Sequence, residues 1–247
     1  MKTFRTILKT ECKLSLRGMD MFIFAIFMPV TIFILLGIIY KDNPAFDGAG
    51  YTFMDQSFGA VSTIAICAGG VMGLPLVVSD YRKKHILKRF QVTPASPILI
   101  LAVQLTIYAL YSFASLILVY SVGVIFFGLH LKGSLLIYLA TYLLVMISMF
   151  SIGLLVGGIA PDIKAAGAAA SILYFPMIIF SGAPLPYEIM PVVLQKFSDF
   201  MPLTQGIKLL KAAALGSPAK ELFLPVLFMG ATAFLCIALT LRFFRWE

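Results

Sequence analysis

Charge is scarce in this sequence: Asp, Glu, Lys and Arg make up 12% of its 247 residues, against 61% hydrophobic ones. Soluble domains carry about 25% charged and about 45–50% apolar residues, so a soluble globular class is excluded. Reactive side chains are equally sparse. Cys12, Cys67 and Cys236 lie far apart without metal-ligand spacing, and Cys67 and Cys236 fall inside apolar runs, where they act as small hydrophobes. His85 and His130 are isolated. No G-x-x-x-x-G-K-[ST] phosphate loop and no G-x-S-x-G nucleophile setting occurs, so the chain has neither nucleotide cradle nor serine elbow of its own. No Asp, Glu, Lys or Arg lies deep within an apolar run. Proton relays and ion-coupled carriers need such buried charges, so that class is disfavoured. If this chain moves anything, the energy comes from another subunit.

What is present is hydrocarbon in long runs, which implies an all-α, polytopic membrane protein. Six spans are expected at about 21–40, 57–78, 98–129, 135–160, 165–181 and 222–241. The third exceeds the roughly 20 residues a bilayer requires, but it contains no polar hairpin and is kept as one helix. Residues 1–20 precede the spans as an amphipathic helix. Lys2, Arg5, Lys9, Lys13 and Arg17 form one stripe, with Phe4, Ile7, Leu8 and Leu14 opposite, a pattern suited to the membrane interface. Glu11 stands within that apolar face, either tolerated at the surface or meeting a partner's cation. A signal peptide is a poor fit, because the next run is too long for an h-region and no cleavage-like site follows.

Lysine and arginine set the orientation. With six spans, thirteen of the nineteen basic residues fall on the side of the termini and six on the other. Both termini are therefore expected in the cytoplasm, which also accounts for a net charge of +8 without invoking nucleic acid. His85 and His130 then lie on opposite sides of the bilayer and cannot share a metal.

The most basic island is SDYRKKHILKRFQVTPASP, residues 79–97. A short helix is expected here, capped by Ser79 or Asp80 and stopped before Pro94, with Ile86, Leu87 and Phe90 on one face. The alternative is a plain basic loop that fixes topology. The opposite end carries residues 182–221, broken by Pro184, Pro186, Pro191 and Pro202 yet largely apolar. A re-entrant element fits such a segment better than a solvated loop, with Pro184 to Pro202 expected to fold onto the helix tops, shielded from solvent. Gly69-x-x-x-Gly73 and Gly153-x-x-x-Gly157 permit close helix approach.

Three stretches, in this order and spacing, resemble the permease subunit of bacterial type-2 ABC exporters: DYRKKHILKRFQVTPAS, FPMIIFSGAPLPYEIMP and FMPLTQGIKLLKAA. Many relatives have Glu-Gly where Lys84-His85 stand, so the subfamily stays open. The resemblance implies that Tyr81 to Gln91 form a coupling helix seated on a separate ABC ATPase, with Tyr81, Arg82, Ile86, Leu87 and Phe90 at the contact. It makes residues 1–20 the interface helix and 161–164, with Asp162, a smaller contact. It also implies a second permease subunit, identical or related, surrounding membrane lipid, a bacterial inner-membrane location, and ATP and Mg bound on the partner rather than on this chain. The pathway is then expected between two copies, lined by spans two and five, with Phe175, Met177 and Phe180 near its exit. An uncharged wall rich in Met and Phe suits amphiphiles such as drugs, lipids or hydrophobic peptides. Two other classes stand beside this one: a flippase or regulator that needs no ATPase, and an intramembrane enzyme, against which the missing catalytic pairs argue.

Overall fold

The computed structural model describes residues 2–40, 43–45, 50–86, 97–182, 187 and 190–244. Among these the regular elements are helices: α1 (Lys2–Gly18), α2 (Ile23–Tyr40), α3 (Phe53–Lys83), α4 (Pro97–Phe127), α5 (Leu135–Ile159), α6 (Ile163–Phe180), α7 (Val192–Asp199), α8 (Pro202–Leu215) and α9 (Ala219–Phe243). Six of them, α2 to α6 and α9, are long and apolar enough to cross a membrane. The long third run is one helix of 31 residues.

The bundle is built around α3, in which every residue from Phe53 to Val71 is buried. Its start is fixed by a reciprocal cap. The Thr52 hydroxyl accepts from the Asp55 amide at 3.1 Å, and the Asp55 carboxylate accepts from the Thr52 amide at 3.0 Å. The other Asp55 oxygen accepts from the His130 amide at 3.2 Å, tying the α4–α5 turn to the same corner. Around α3 the core gathers Tyr138, Tyr142 and Met149 of α5, Leu203 and Leu210 of α8, and Met229 of α9. Two buried side chains tie neighbouring helices together through backbone carbonyls. Tyr142 donates to the Ser112 carbonyl at 2.8 Å and Ser148 to the Met229 carbonyl at 2.7 Å.

Small residues determine how close α3 and α5 come. A Cβ on Gly153 would lie 1.8 Å from the Gly70 carbonyl oxygen, and one on Gly157 would meet the Pro75 backbone at 2.9 Å. The Gly153–Gly157 pair is thus an intrachain seam. Gly70 belongs to a π-helical stretch, Ala68–Gly73, in the middle of α3. A second π turn, Ile23–Phe27, opens α2.

The segment after α6 divides in two. α8 starts on Pro202 and ends on Gly216 at φ 70, a left-handed cap that glycine takes without strain. Its residues Leu203, Leu209 and Leu210 are fully buried against the core. The preceding α7 instead exposes Val192 and Val193. Shielding in the described part of this segment therefore belongs to α8, because its apolar stripe meets α3 and α5 and that of α7 does not.

Candidate functional site

The expected coupling surface lies at the end of the bundle that carries both termini. Here the structure corrects the sequence-derived helix. Ser79 and Asp80 do not cap a new helix; they sit inside α3, which runs on to Lys83. Ser79 is buried, with its hydroxyl 3.4 Å from the Gly157 carbonyl, and Asp80 pairs with Lys84 at 2.7 Å across one turn, a spacing that prolongs the helix. The break comes at His85, whose φ of 53 is left-handed. A non-glycine residue held there marks a joint under strain. Lys83, Lys84 and His85 are exposed, and Ile86 follows as a half-buried residue in helical conformation. Leu87 and Phe90 lie outside the described residues.

Arg82 does not face outward with its neighbours. It is 5% exposed, and one guanidinium nitrogen donates to the Gly157 carbonyl at 3.0 Å and the Ala160 carbonyl at 2.7 Å. The reason is in the partner's sequence. A helical carbonyl at position 157 would accept from the amide of residue 161, and Pro161 has none. Arg82 and Ser79 supply the donors instead, and the cation sits at the negative end of the α5 dipole. One residue further on, Asp162 caps α6 by accepting from the Ala165 amide at 2.7 Å. Arg82 therefore ties the base of the basic loop to the C-terminal end of α5, just before the 161–164 turn.

Tyr81 makes the second link. Its hydroxyl donates to Glu11 of α1 at 2.5 Å and accepts from Gln104 of α4 at 2.9 Å; the same Gln104 amide reaches the Glu11 carboxylate at 3.0 Å. Glu11 thus meets two neutral donors of its own chain. Ser15 and Tyr111 add a contact between hydroxyls at 3.0 Å. The apolar face of α1 is also partly spent within the chain: Phe4, Ile7 and Leu8 pack on Ala25, Val103 and Ile107, while Leu14 stays exposed. Sequence reasoning missed Gln104 and Tyr111. The available signal was Gln104, the one amide of its span, where a buried polar group needs a named partner; Tyr111 is one of three tyrosines in that helix and carried no such signal. At this end the stem of the loop is thus joined to α1, α4 and α5 at once.

Over residues 2–215 the chain matches the family described as ABC-2 type transporter. It belongs to that family. It is similar to the Nodulation protein J of Neorhizobium galegae, 31% identical over 94 residues, which is 38% of this chain and 34% of that protein. It is also similar to the probable multidrug ABC transporter permease YbhS of Escherichia coli K12, 27% identical over 184 residues, 74% of this chain and 48% of that protein. The alignments span half or less of these relatives' own lengths. As an ABC-2 permease the chain is a multi-pass membrane protein of the transport class.

The residues expected along a pathway separate on α6 of this permease. Phe175 is 55% exposed on a strip with Ile172 and Ile179, whereas Met177 is 7% exposed and packs into the core. Phe180 is half-buried, edge-on to Phe197 of α7 at 5.6 Å between ring centroids. α3 is the most enclosed of the six long helices, so in this single chain an exposed wall is offered by α6 alone of the two spans expected to line the pathway.

The opposite end carries its own polar knot. Asp199 accepts from Tyr187 at 2.8 Å and from Lys208 at 2.6 Å, and Lys208 lies 4.1 Å over the Tyr187 ring. Burial, then the bond to Asp199, pushes the Tyr187 phenol up from its ordinary value, so it remains a donor at neutral pH.

Proposed function

We propose that the chain is the membrane subunit of an ATP-driven exporter in the bacterial inner membrane. It pairs with a separate ABC ATPase and moves an amphiphile outward by alternating access. The carrying observation is the stem of the basic loop, where Arg82 holds the end of α5 while Tyr81 holds α1 and α4. A partner pushing on residues 83–86 would move α3 together with α1, α4 and α5 rather than one loop. The basic excess on this side supports a cytoplasmic position for both termini. ATP and Mg bind on the partner. A second permease subunit, identical or related, packs across the exposed strip of Ile172, Phe175 and Ile179 on α6, and the apolar wall there supports an amphiphilic cargo. The description of the Escherichia coli relative as a multidrug permease accords with that cargo.

Co-expressed with its ATPase and purified in detergent, the chain is expected to hold the ATPase through size-exclusion chromatography and to change its hydrolysis rate. A chain that elutes alone, and still moves labelled lipid in vesicles without ATP, would be a flippase of the ATPase-independent kind.

A further inference from the structure

At the end away from the termini, residues of α8 and α9 line an open crevice of about 920 Å³. Its chemistry is divided along one direction. On α8, Lys208 and Lys211 stand three residues apart and line one wall. On α9, Lys220 opens the other wall, followed on the same face by Leu224 and Phe228, four and eight residues on. Eight residues of helix rise about 12 Å, so cations at the mouth lead into hydrocarbon along a span. Of the five lysines that the described residues place at this end, three converge here. They face two carboxylates, Asp199 and Glu221, so the crevice is net positive. Asp199 is already engaged by Lys208 and Tyr187.

We infer that this crevice binds a phospholipid with an anionic headgroup, its phosphate on the lysines and an acyl chain along Leu224 and Phe228. A soluble anion would leave the apolar wall unused. A zwitterionic lipid would bring a second cation towards three lysines. Nothing in this inference depends on an ATPase at the other end.

The test is a lipid titration of the purified full-length chain in detergent micelles, followed by native mass spectrometry. Short-chain phosphatidylglycerol is expected to bind about tenfold more tightly than phosphatidylcholine. A Lys211→Gln, Lys220→Gln double variant should lose about that factor for phosphatidylglycerol and keep its phosphatidylcholine affinity. Lys196→Gln, on α7 outside the crevice, should change neither. Lys220→Glu, at an exposed position on the crevice wall, gives a second reading, and it too should weaken phosphatidylglycerol alone. Equal affinity of the wild type for both lipids would overturn the inference, as would wild-type phosphatidylglycerol binding by the double variant. Displacement of the lipid by inorganic phosphate at comparable concentration would mark a free-anion site and overturn it as well.

Discussion

Replacing Arg82 with methionine is expected to destabilise the permease by about 3 kcal/mol. The guanidinium is buried and serves two carbonyls, Gly157 and Ala160, one of which Pro161 has deprived of its helical donor. A hydrogen bond to a charged group contributes about 1.5–3 kcal/mol, and a carbonyl left without a donor in a buried site costs about 1–3 kcal/mol. Desolvation of the cation opposes this, which keeps the net figure below the simple total. Methionine fills most of the volume, so the loss reports the donors rather than a cavity. Arg82→Lys keeps the charge but not the position of the donating guanidinium nitrogen, and should fall between. Tyr81→Phe, one residue earlier, removes a single neutral hydroxyl from a set in which Gln104 still reaches Glu11, and should cost about 1 kcal/mol. Thermal unfolding of the three purified variants in the same detergent gives the order. Equal stability of Arg82→Met and wild type would show that the grip on α5 carries no energy.

Gly153→Ala is expected to do more damage, although it adds one methyl group. The new Cβ would sit 1.8 Å from the Gly70 oxygen, so α3 and α5 must separate along their whole shared seam. Overpacking a tight core typically costs about 1–3 kcal/mol. Here backbone opposes backbone, no rotamer change relieves the contact, and the upper end of that range or beyond applies. Folded yield, read as the monodisperse fraction after detergent extraction, should drop severalfold. Gly230→Ala is the matched control. Among the described residues nothing lies within 4 Å of a Cβ there, and alanine is favoured over glycine inside a helix by about 1 kcal/mol, so stability should hold or rise. Similar losses from both substitutions would mean that helix context, and not the seam, decides.

Much of this architecture could be read from residue order. Six apolar runs separated by charged or proline-rich breaks became six helices, because in a bilayer the backbone has few other ways to satisfy itself. The Gly153–Gly157 spacing pointed to a close contact without saying with what; only the packed chain assigns it to Gly70 and Pro75. The start of the loop helix was misplaced for a physical reason. Ser79 and Asp80 have capping side chains, and composition cannot show that both are engaged elsewhere, one against Gly157 and one with Lys84. Arg82 looked like one cation among five in a basic island. Its inward course depends on Pro161, a residue far along the chain whose missing amide creates the acceptor. Glu11 was legible as an anomaly on an apolar face, but its partners come from α3 and α4, and such long-range pairings leave no periodic trace in a sequence.

The central claim is that the exposed end of α3 and the residues just after it seat an ATPase. Site-specific crosslinking tests it most directly. A photoreactive side chain placed at Ile86, just beyond the left-handed His85, is expected to form a covalent product with the nucleotide-binding subunit in membranes where both are expressed. The same group at Phe200, exposed at the other end of the bundle, should give none. A product from position 200 and not from 86, or from 86 with lipid alone while the ATPase is present, would contradict the account.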